Sequence, residues 1–384
     1  MSNKRLDYTV GLDAIYNKIT EDYCWVHTRG GAIPGNPPVV VATTQQWAMG
    51  QSDIFSEIYH VKTEDLGKNW SEPKRNVNLG RKAINGVLEM GLCDQYPAYH
   101  KTTGKLLSTG HTVTYDGGEH PASALDKSLR IFPAYTVYNQ VSDNWSDWKI
   151  IDLGDDEKFH RGSSGCSQRF DLNDGNFLLP VSYSEKGNPY TKMTIVKCSF
   201  NGEDIKVLEI GNELTVNTER GLAEGSVTKF NGTYYLTIRH NLNGYVCKSE
   251  DGLHFEDPVT WKWDTGVEVK TYNTQSHWIT HSDGLFLVYT RNAGNNSHVF
   301  RHRAPLFMSE VDPENLCLLR HTEKILIPER GARLGNFGTV NVTEDETWVF
   351  NTEVISPPDC IKYGCDGSIY VSRLKWNKPN KLLF

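Results

Sequence analysis

Runs of apolar, β-branched and aromatic residues, each broken by a tight turn, recur along this chain. The clearest spans residues 222–239, LAEGSVTKFNGTYYLTIR. Its Asn231-Gly232 dipeptide is the strongest two-residue hairpin signal, and strand-forming side chains flank it on both sides. Pairing across that turn brings Glu224 and Arg239 to the same open end. The figure repeats at Ile33-Pro34-Gly35-Asn36 before Val39-Val40-Val41, and at Thr103-Gly104 before Leu106-Leu107. It returns at Asp174-Gly175 before Phe177-Leu178, Asp283-Gly284 before Phe286-Leu287, and Glu344-Asp345 before Trp348-Val349-Phe350. Turns at intervals of roughly 50 to 70 residues are the spacing of propeller blades, each burying its faces against its neighbours. The pattern predicts an all-β, six-bladed β-propeller of four-stranded antiparallel blades, occupying residues 1–384 as one domain. Helical periodicity is nearly absent, and only Pro313-Glu314-Asn315-Leu316 predicts a short helical turn.

A second motif is expected after the third strand of several units. Thr63-Glu64-Asp65-Leu66-Gly67-Lys68-Asn69-Trp70 has the form Ser/Thr-x-Asp-x-Gly-x-x-Trp. Its logic is structural: the aspartate caps turn N–H groups, glycine supplies positive φ, and tryptophan plugs a gap in the blade. Residues 249–255 and 199–205 repeat it one residue shorter, and Ser142-Asp143-Asn144-Trp145 is a degenerate echo. Such turns belong on the rim and do no chemistry. The first of them resembles an Asp-box, the BNR repeat signature. With six units, the whole chain resembles the sialidase (neuraminidase) superfamily. Propellers of this shape host glycosidases, lyases and binding proteins alike, so function must come from the site.

The resemblance implies three arginines clamping a substrate carboxylate, a Tyr/Glu nucleophile pair and an acid/base aspartate. Rigid, permanently charged guanidinium groups suit that clamp. Arg29, in His27-Thr28-Arg29-Gly30-Gly31, resembles the first arginine, although the family's Arg-Ile-Pro is interrupted here by three residues. Arg239 resembles the second, and Arg303 or Arg301, in Phe300-Arg301-His302-Arg303, the third. Asp53 falls where the family's acid/base lies, and Asp94 where it places a residue near the substrate's N-acyl group. Glu224 resembles the glutamate that supports the nucleophile, and Glu353 matches another family glutamate. The departure is in Arg333-Leu334-Gly335-Asn336-Phe337-Gly338, where Asn336 or Phe337 replaces the tyrosine. Neither side chain can attack a sugar.

Each of these residues also has a bland reading: a blade-to-blade ion pair for Arg29, a turn cap for Asp53, a structural pair for Glu224 and Arg239. Histidines complicate the choice, because His111 and His277, with His27 and His160, sit near predicted inner strands, and imidazole suits proton transfer near neutral pH. The reading adopted is a sialidase-like glycoside hydrolase acting on a terminal acidic sugar, with Asp53 as acid and Glu224 or Glu353 as base. Without the tyrosine, a base-activated water would attack, which implies inversion. The alternatives are a lyase on a uronic-acid glycan, pairing His111 or His277 with Tyr115 or Tyr183, and a non-catalytic glycan-binding propeller.

Composition narrows the partners. A net charge of -7 argues against nucleic acid or an anionic membrane as partner. No apolar run approaches the ~20 residues that span a bilayer, and no apolar segment follows the first basic residues. A cytoplasmic location is therefore expected, or a secreted or periplasmic one for a chain whose leader has been removed. The eight cysteines are expected to be reduced. Cys360 and Cys365 are close enough for a disulfide or a metal, but no histidine pair or second cysteine pair accompanies them at zinc spacing. No cofactor or metal is expected, and the partner expected is a glycan or oligosaccharide.

Overall fold

Every predicted turn closes the hairpin between the first two strands of a sheet, and six sheets result. In this computed structural model the described residues are 5–49, 54–84, 86–116 and 121–383. The innermost strands are Tyr23–Ile33, Glu89–His100, Ala223–Phe230, His277–His281 and Gly338–Thr343, with the short pieces Arg161–Ser163 and Phe170–Asp171 in the third blade. At Asn231-Gly232 the register runs Phe230↔Thr233 to Ala223↔Arg239, so Glu224 and Arg239 do share the open end. The chain is a six-bladed, four-stranded antiparallel propeller.

The sequence pattern did not show how the ring closes. Tyr8–Tyr16 pairs with Ile369–Trp376 from Tyr8↔Trp376 onward, and so supplies the outer strand of the sixth blade. The first and last strands of the chain therefore lock one blade. Apolar clusters fill the spaces between adjacent sheets. Val41, Ile58, Leu92 and Leu106 fill the first gap, and Val40, Val61, Trp348 and Phe350 the gap between the sixth and first blades.

The Thr63–Trp70 segment behaves as its composition demands. Asp65 Oδ1 accepts from the Asn69 N–H at 3.0 Å, and Gly67 adopts φ 77°. Trp70 lies 6.0 Å from Trp348 and 5.9 Å from Phe350, between two blades. Pro313–Leu316 is not helical, contrary to expectation. Asp312 Oδ1 accepts from the N–H groups of Glu314 and Asn315, which turns the chain straight back into the next strand. Helix is confined to Ala122–Leu125 and a few single-turn 3₁₀ segments, and no helix among the described residues is long and apolar enough to cross a membrane.

The inner strands break their ladders where they reach the axis. Register slips between Val26 and Arg29, Cys93 and Tyr96, and Ala223 and Gly225. At those slips His27, Asp94 and Glu224 hold left-handed backbone, with φ 59°, 53° and 48°. Cys166 (φ 58°) does the same between the two inner pieces of the third blade, and Asn273 (φ 48°) just ahead of the inner strand of the fifth. Non-glycine residues rarely take this conformation, at a cost of order 1–3 kcal/mol each, and clusters of them accompany function.

Candidate active site

The left-handed residues turn their side chains onto the axis, where Asn336 of the sixth blade joins them. Asp94 is the hub of one half. Its Oδ1 lies 2.9 Å from His27 Nδ1, a charge contact off the hydrogen-bond direction, and accepts from Cys166 Sγ at 3.0 Å. Burial alone would raise the Asp94 carboxyl, but His27 and Arg29 outweigh it and hold the group well below the ordinary carboxylate range. Asn336 Nδ2 donates to His27 Nε2, and its Oδ1 accepts from Gln275 Nε2 at 3.3 Å. An amide N–H can only be met by a lone pair, so the His27 ring proton sits on Nδ1, on the side of the ring nearest Asp94.

The other half is a guanidinium cluster. Arg239 Nη1 pairs with Glu224 Oε1, and Nη2 donates to Asn273 Oδ1 at 2.6 Å. Arg303 donates from Nε and Nη2 to the Asn273 carbonyl, at 3.2 and 2.5 Å. Among the described residues no carboxylate lies within ion-pair distance of Arg303. Burial, then the neighbouring Arg239 and Arg333, drive it well below the usual guanidinium range. Glu224 is drawn down by Arg239 against the cost of burial. Two buried atoms here, Glu224 Oε2 and Arg239 Nε, have no hydrogen-bond partner among the described residues. Buried polar atoms left unmatched cost free energy, and a bound ligand or an ordered water at the axis would satisfy these two.

Arg29 stands apart from the clamp expected of it. It is wholly buried and already committed: Nε to the Phe337 carbonyl at 3.0 Å, Nη2 to Cys166 Sγ at 2.9 Å, and both Nη atoms toward Asp94 at 3.4 and 3.5 Å. The backbone of Gly338 packs on its stem so closely that a Cβ would sit 2.8 Å from Cγ. Arg29 is the floor under Asp94. Beneath it, bonds between blades close the channel: Tyr96 Oη accepts from the Thr339 N–H at 2.8 Å, Thr339 Oγ1 donates to the Trp278 carbonyl at 2.9 Å, and Gln168 Nε2 donates to that same carbonyl at 3.1 Å.

Of the other predicted residues, Arg301 is exposed, with its guanidinium over Phe300, and so Arg303 is the inward member of the two. Glu353 lies off the axial ring, in a loop of the sixth blade. There it accepts from the Asp366 N–H at 3.0 Å and lies 3.5 Å from Arg330, and burial pushes its carboxyl up to about 7. His277 is fully buried beneath the ring, bonded to Ser226 Oγ at 2.7 Å, and packed on Tyr96 and Phe337. Burial, then Arg29, hold it well below the ordinary histidine range, so it is neutral packing in the floor. His111 borders the ring: Nδ1 meets Ser163 Oγ at 2.5 Å, and Nε2 is 3.8 Å from Asp94. The tyrosines proposed for a lyase point elsewhere, Tyr115 to the Phe55 N–H and Tyr183 to Glu213. Asp53 lies outside the described residues. Cys93, Asp94 and His111 offer ligand atoms within 4.8 Å of one another, but Asp94 is already engaged by His27, Arg29 and Cys166.

Sequence reasoning passed over His27 as a site residue, and Cys166 and Asn273 altogether. Each sits in a break of strand alternation, where periodicity carries no signal. What could have marked them is position, since each lies two residues before an inward polar or small residue (Arg29, Gln168, Gln275), as Glu224 does before Ser226.

No family model matches the sequence, and no curated protein matches it. The fold has solved counterparts. A protein of unknown function from Dyadobacter fermentans superposes with a TM-score of 0.67 at 15% identity, over 97% of this chain and 99% of that one. A Hadza microbial sialidase gives 0.65 at 11% identity, covering 92% of this chain and 66% of that one. Trypanosoma rangeli sialidase, as its covalent intermediate with 2,3-difluorosialic acid, gives 0.62 at 13% identity, over 91% and 54%. This chain thus spans about half the length of the trypanosomal enzyme. The architecture is that of the sialidase-like six-bladed propellers.

Proposed function

We propose that this protein is a glycoside hydrolase acting on a terminal carboxylated sugar, with Arg239 and Arg303 receiving the carboxylate. One observation carries the reading. Buried guanidinium groups crowd together at the axis, and among the described residues Arg303 bonds to a backbone carbonyl and has no carboxylate within ion-pair distance. An anionic ligand would supply the missing partner and take up the idle Arg239 Nε. The sialidases of the same fold act as an analogy that raises this reading.

Asn336 stands where a tyrosine nucleophile would be needed, so the bond is broken by water. His27 is the residue to activate it: its ring proton sits on Nδ1 beside Asp94, and the attacking water takes the place of the Asn336 amide on the Nε2 lone pair. Asp53 is proposed as the acid that protonates the leaving oxygen. Glu224, tied to Arg239, fixes the clamp and offers Oε2 to a sugar hydroxyl. Such a single displacement inverts the anomeric carbon.

The test is incubation with sialic, ulosonic and uronic acid glycosides in ¹⁸O-water, read by mass spectrometry and anomeric NMR. Hydrolysis with one ¹⁸O in the free sugar and inverted configuration is expected. An unsaturated uronide identifies a lyase, and binding without turnover of any acidic glycoside identifies a lectin. Either result removes the hydrolase reading.

A further inference from the structure

The loop that joins the last two long strands of the sixth blade, Glu346–Thr352 and Ile369–Trp376, carries two cysteines that take no part in the axial ring. All eight cysteines are free and buried. Cys360 and Cys365 are the pair whose sulfurs meet, at 3.5 Å. Their approach is built by the local chain. A 3₁₀ segment, Pro358–Tyr363, holds the first, and Gly364 at φ 102° turns the backbone so that the second faces it. Metal binding is not what this pair is shaped for. Among the described residues the cluster with three or more metal-ligating groups is Cys93, Asp94 and His111, elsewhere in the molecule. Two facing thiols with no further ligands have one characteristic reaction, two-electron oxidation to a disulfide.

We propose that Cys360 and Cys365 are a thiol–disulfide exchange site whose co-reactant is a small-molecule disulfide. A cavity of about 400 Å³, bordered by Phe300, Arg301, Gly331 and Tyr363, reaches Cys360 and lets the reagent approach it first. The Cys365 thiol hydrogen-bonds to Cys360 and draws the Cys360 thiol below its ordinary range, which favours Cys360 as the attacking thiolate. Cys360 Sγ attacks one sulfur of the reagent, RS–SR, and expels RS⁻. Cys365, losing its proton, then attacks Cys360 Sγ in the mixed disulfide and expels the second RS⁻. Two protein thiols give up two electrons and two protons, and RS–SR becomes two RSH.

The loop is wired to the site. The backbone of Gly331 packs against the Cys360 carbonyl, where a Cβ would come within 2.6 Å. Arg330 donates to the Gly364 carbonyl, and Arg333 and Val354 exchange backbone hydrogen bonds at 3.2 and 3.0 Å. Residues 330–336 lead directly to Asn336, so closing the disulfide stiffens the segment that presents it.

The experiment equilibrates the intact protein in glutathione buffers of graded reduced-to-oxidised ratio, followed by acid quench, alkylation, and intact and peptide mass spectrometry. The expected product is two hydrogens lighter, with Cys360 joined to Cys365, the other cysteines alkylated, a higher Tm, and full reversal by dithiothreitol. Cys365→Ser is expected to stop at a mixed disulfide on Cys360. The proposal is overturned if both cysteines remain alkylated at every ratio in protein that stays folded, or if oxidation joins other cysteines. None of these readouts depends on the substrate.

Discussion

Replacing Arg303 by methionine separates a functional charge from a structural one. The side chain keeps its apolar stem and loses a buried guanidinium that, among the described residues, has no carboxylate within ion-pair distance. Arg239 bonds to the side-chain oxygen of Asn273 and Arg303 to its backbone carbonyl, and Arg239 is the first charge to weigh against Arg303. At an effective dielectric of about 20, like charges this close repel by roughly 2–4 kcal/mol. Glu224 offsets part of it, and freeing the Asn273 carbonyl costs about 1 kcal/mol. The net expectation is a gain of about 1 kcal/mol, or a Tm higher by about 1–3 °C. Ligand binding should move the other way. Each charge-assisted hydrogen bond from an arginine to a carboxylate is worth about 1.5–3 kcal/mol, so losing two lowers affinity by a factor on the order of 10²–10⁴. Differential scanning calorimetry and isothermal titration with sialic, ulosonic and uronic acids give both numbers on one sample. A Tm that falls by more than about 3 °C while the affinity stays the same would show that Arg303 is a packing cation, and the anion-clamp argument would go with it. Arg239→Ala is the contrasting case. Its loss strands the buried Glu224 carboxylate, so destabilisation of about 3 kcal/mol is expected.

His27→Gln removes the proton acceptor while keeping a side chain that can hydrogen-bond Asn336. It should lower kcat by roughly 10²–10³ with little change in acidic-sugar affinity, and added azide should restore turnover as a glycosyl azide; unchanged kcat removes His27 from the mechanism. Glu353 is raised in the folded state from 4.5 to about 7, so its proton favours folding. That contribution is complete below about 4.5 and lost as pH rises through about 7; the native protein should therefore lose roughly 2 kcal/mol relative to Glu353→Gln between pH 4.5 and 7, and parallel stability curves would contradict this. Gly335→Ala puts a methyl 2.5 Å from Arg303 Cδ and must tilt the guanidinium; affinity for the acidic sugar should fall about tenfold with Tm little altered, and retained affinity would show that Arg303 tolerates displacement.

The fold was legible where structure is local. Each hairpin between the first two strands of a blade is written in a short turn and its flanking residues, because a tight turn of two to five residues fixes register locally. The pairing of Tyr8–Tyr16 with Ile369–Trp376 was not, since its partners stand at opposite ends of the sequence and most of the first strand is exposed. The site divides the same way. Glu224 and Arg239 follow from one hairpin, and Arg303 from a spacing that could not choose between it and Arg301. That choice rests on the backbone conformation of the Phe300–His302 turn, which leaves Arg301 outside. Arg29 was found but its role was not, because its engagement with Asp94, Cys166 and Phe337 depends on three other blades.

The axial ring takes one residue from each blade, from His27 in the first to Asn336 in the sixth, and the sixth is complete only when the N-terminal strand joins it. The whole ring therefore exists only in the closed propeller, although the Glu224–Arg239 pair belongs to a single hairpin. His27 waits for Asn336, and the blade that presents Asn336 waits for Ile369–Trp376 to pair with Tyr8–Tyr16. Any activity that depends on the ring switches on with closure and vanishes with the first step of opening. Catalysis here would double as a signal of closure, reporting that two strands far apart in the sequence, Tyr8–Tyr16 and Ile369–Trp376, have found each other.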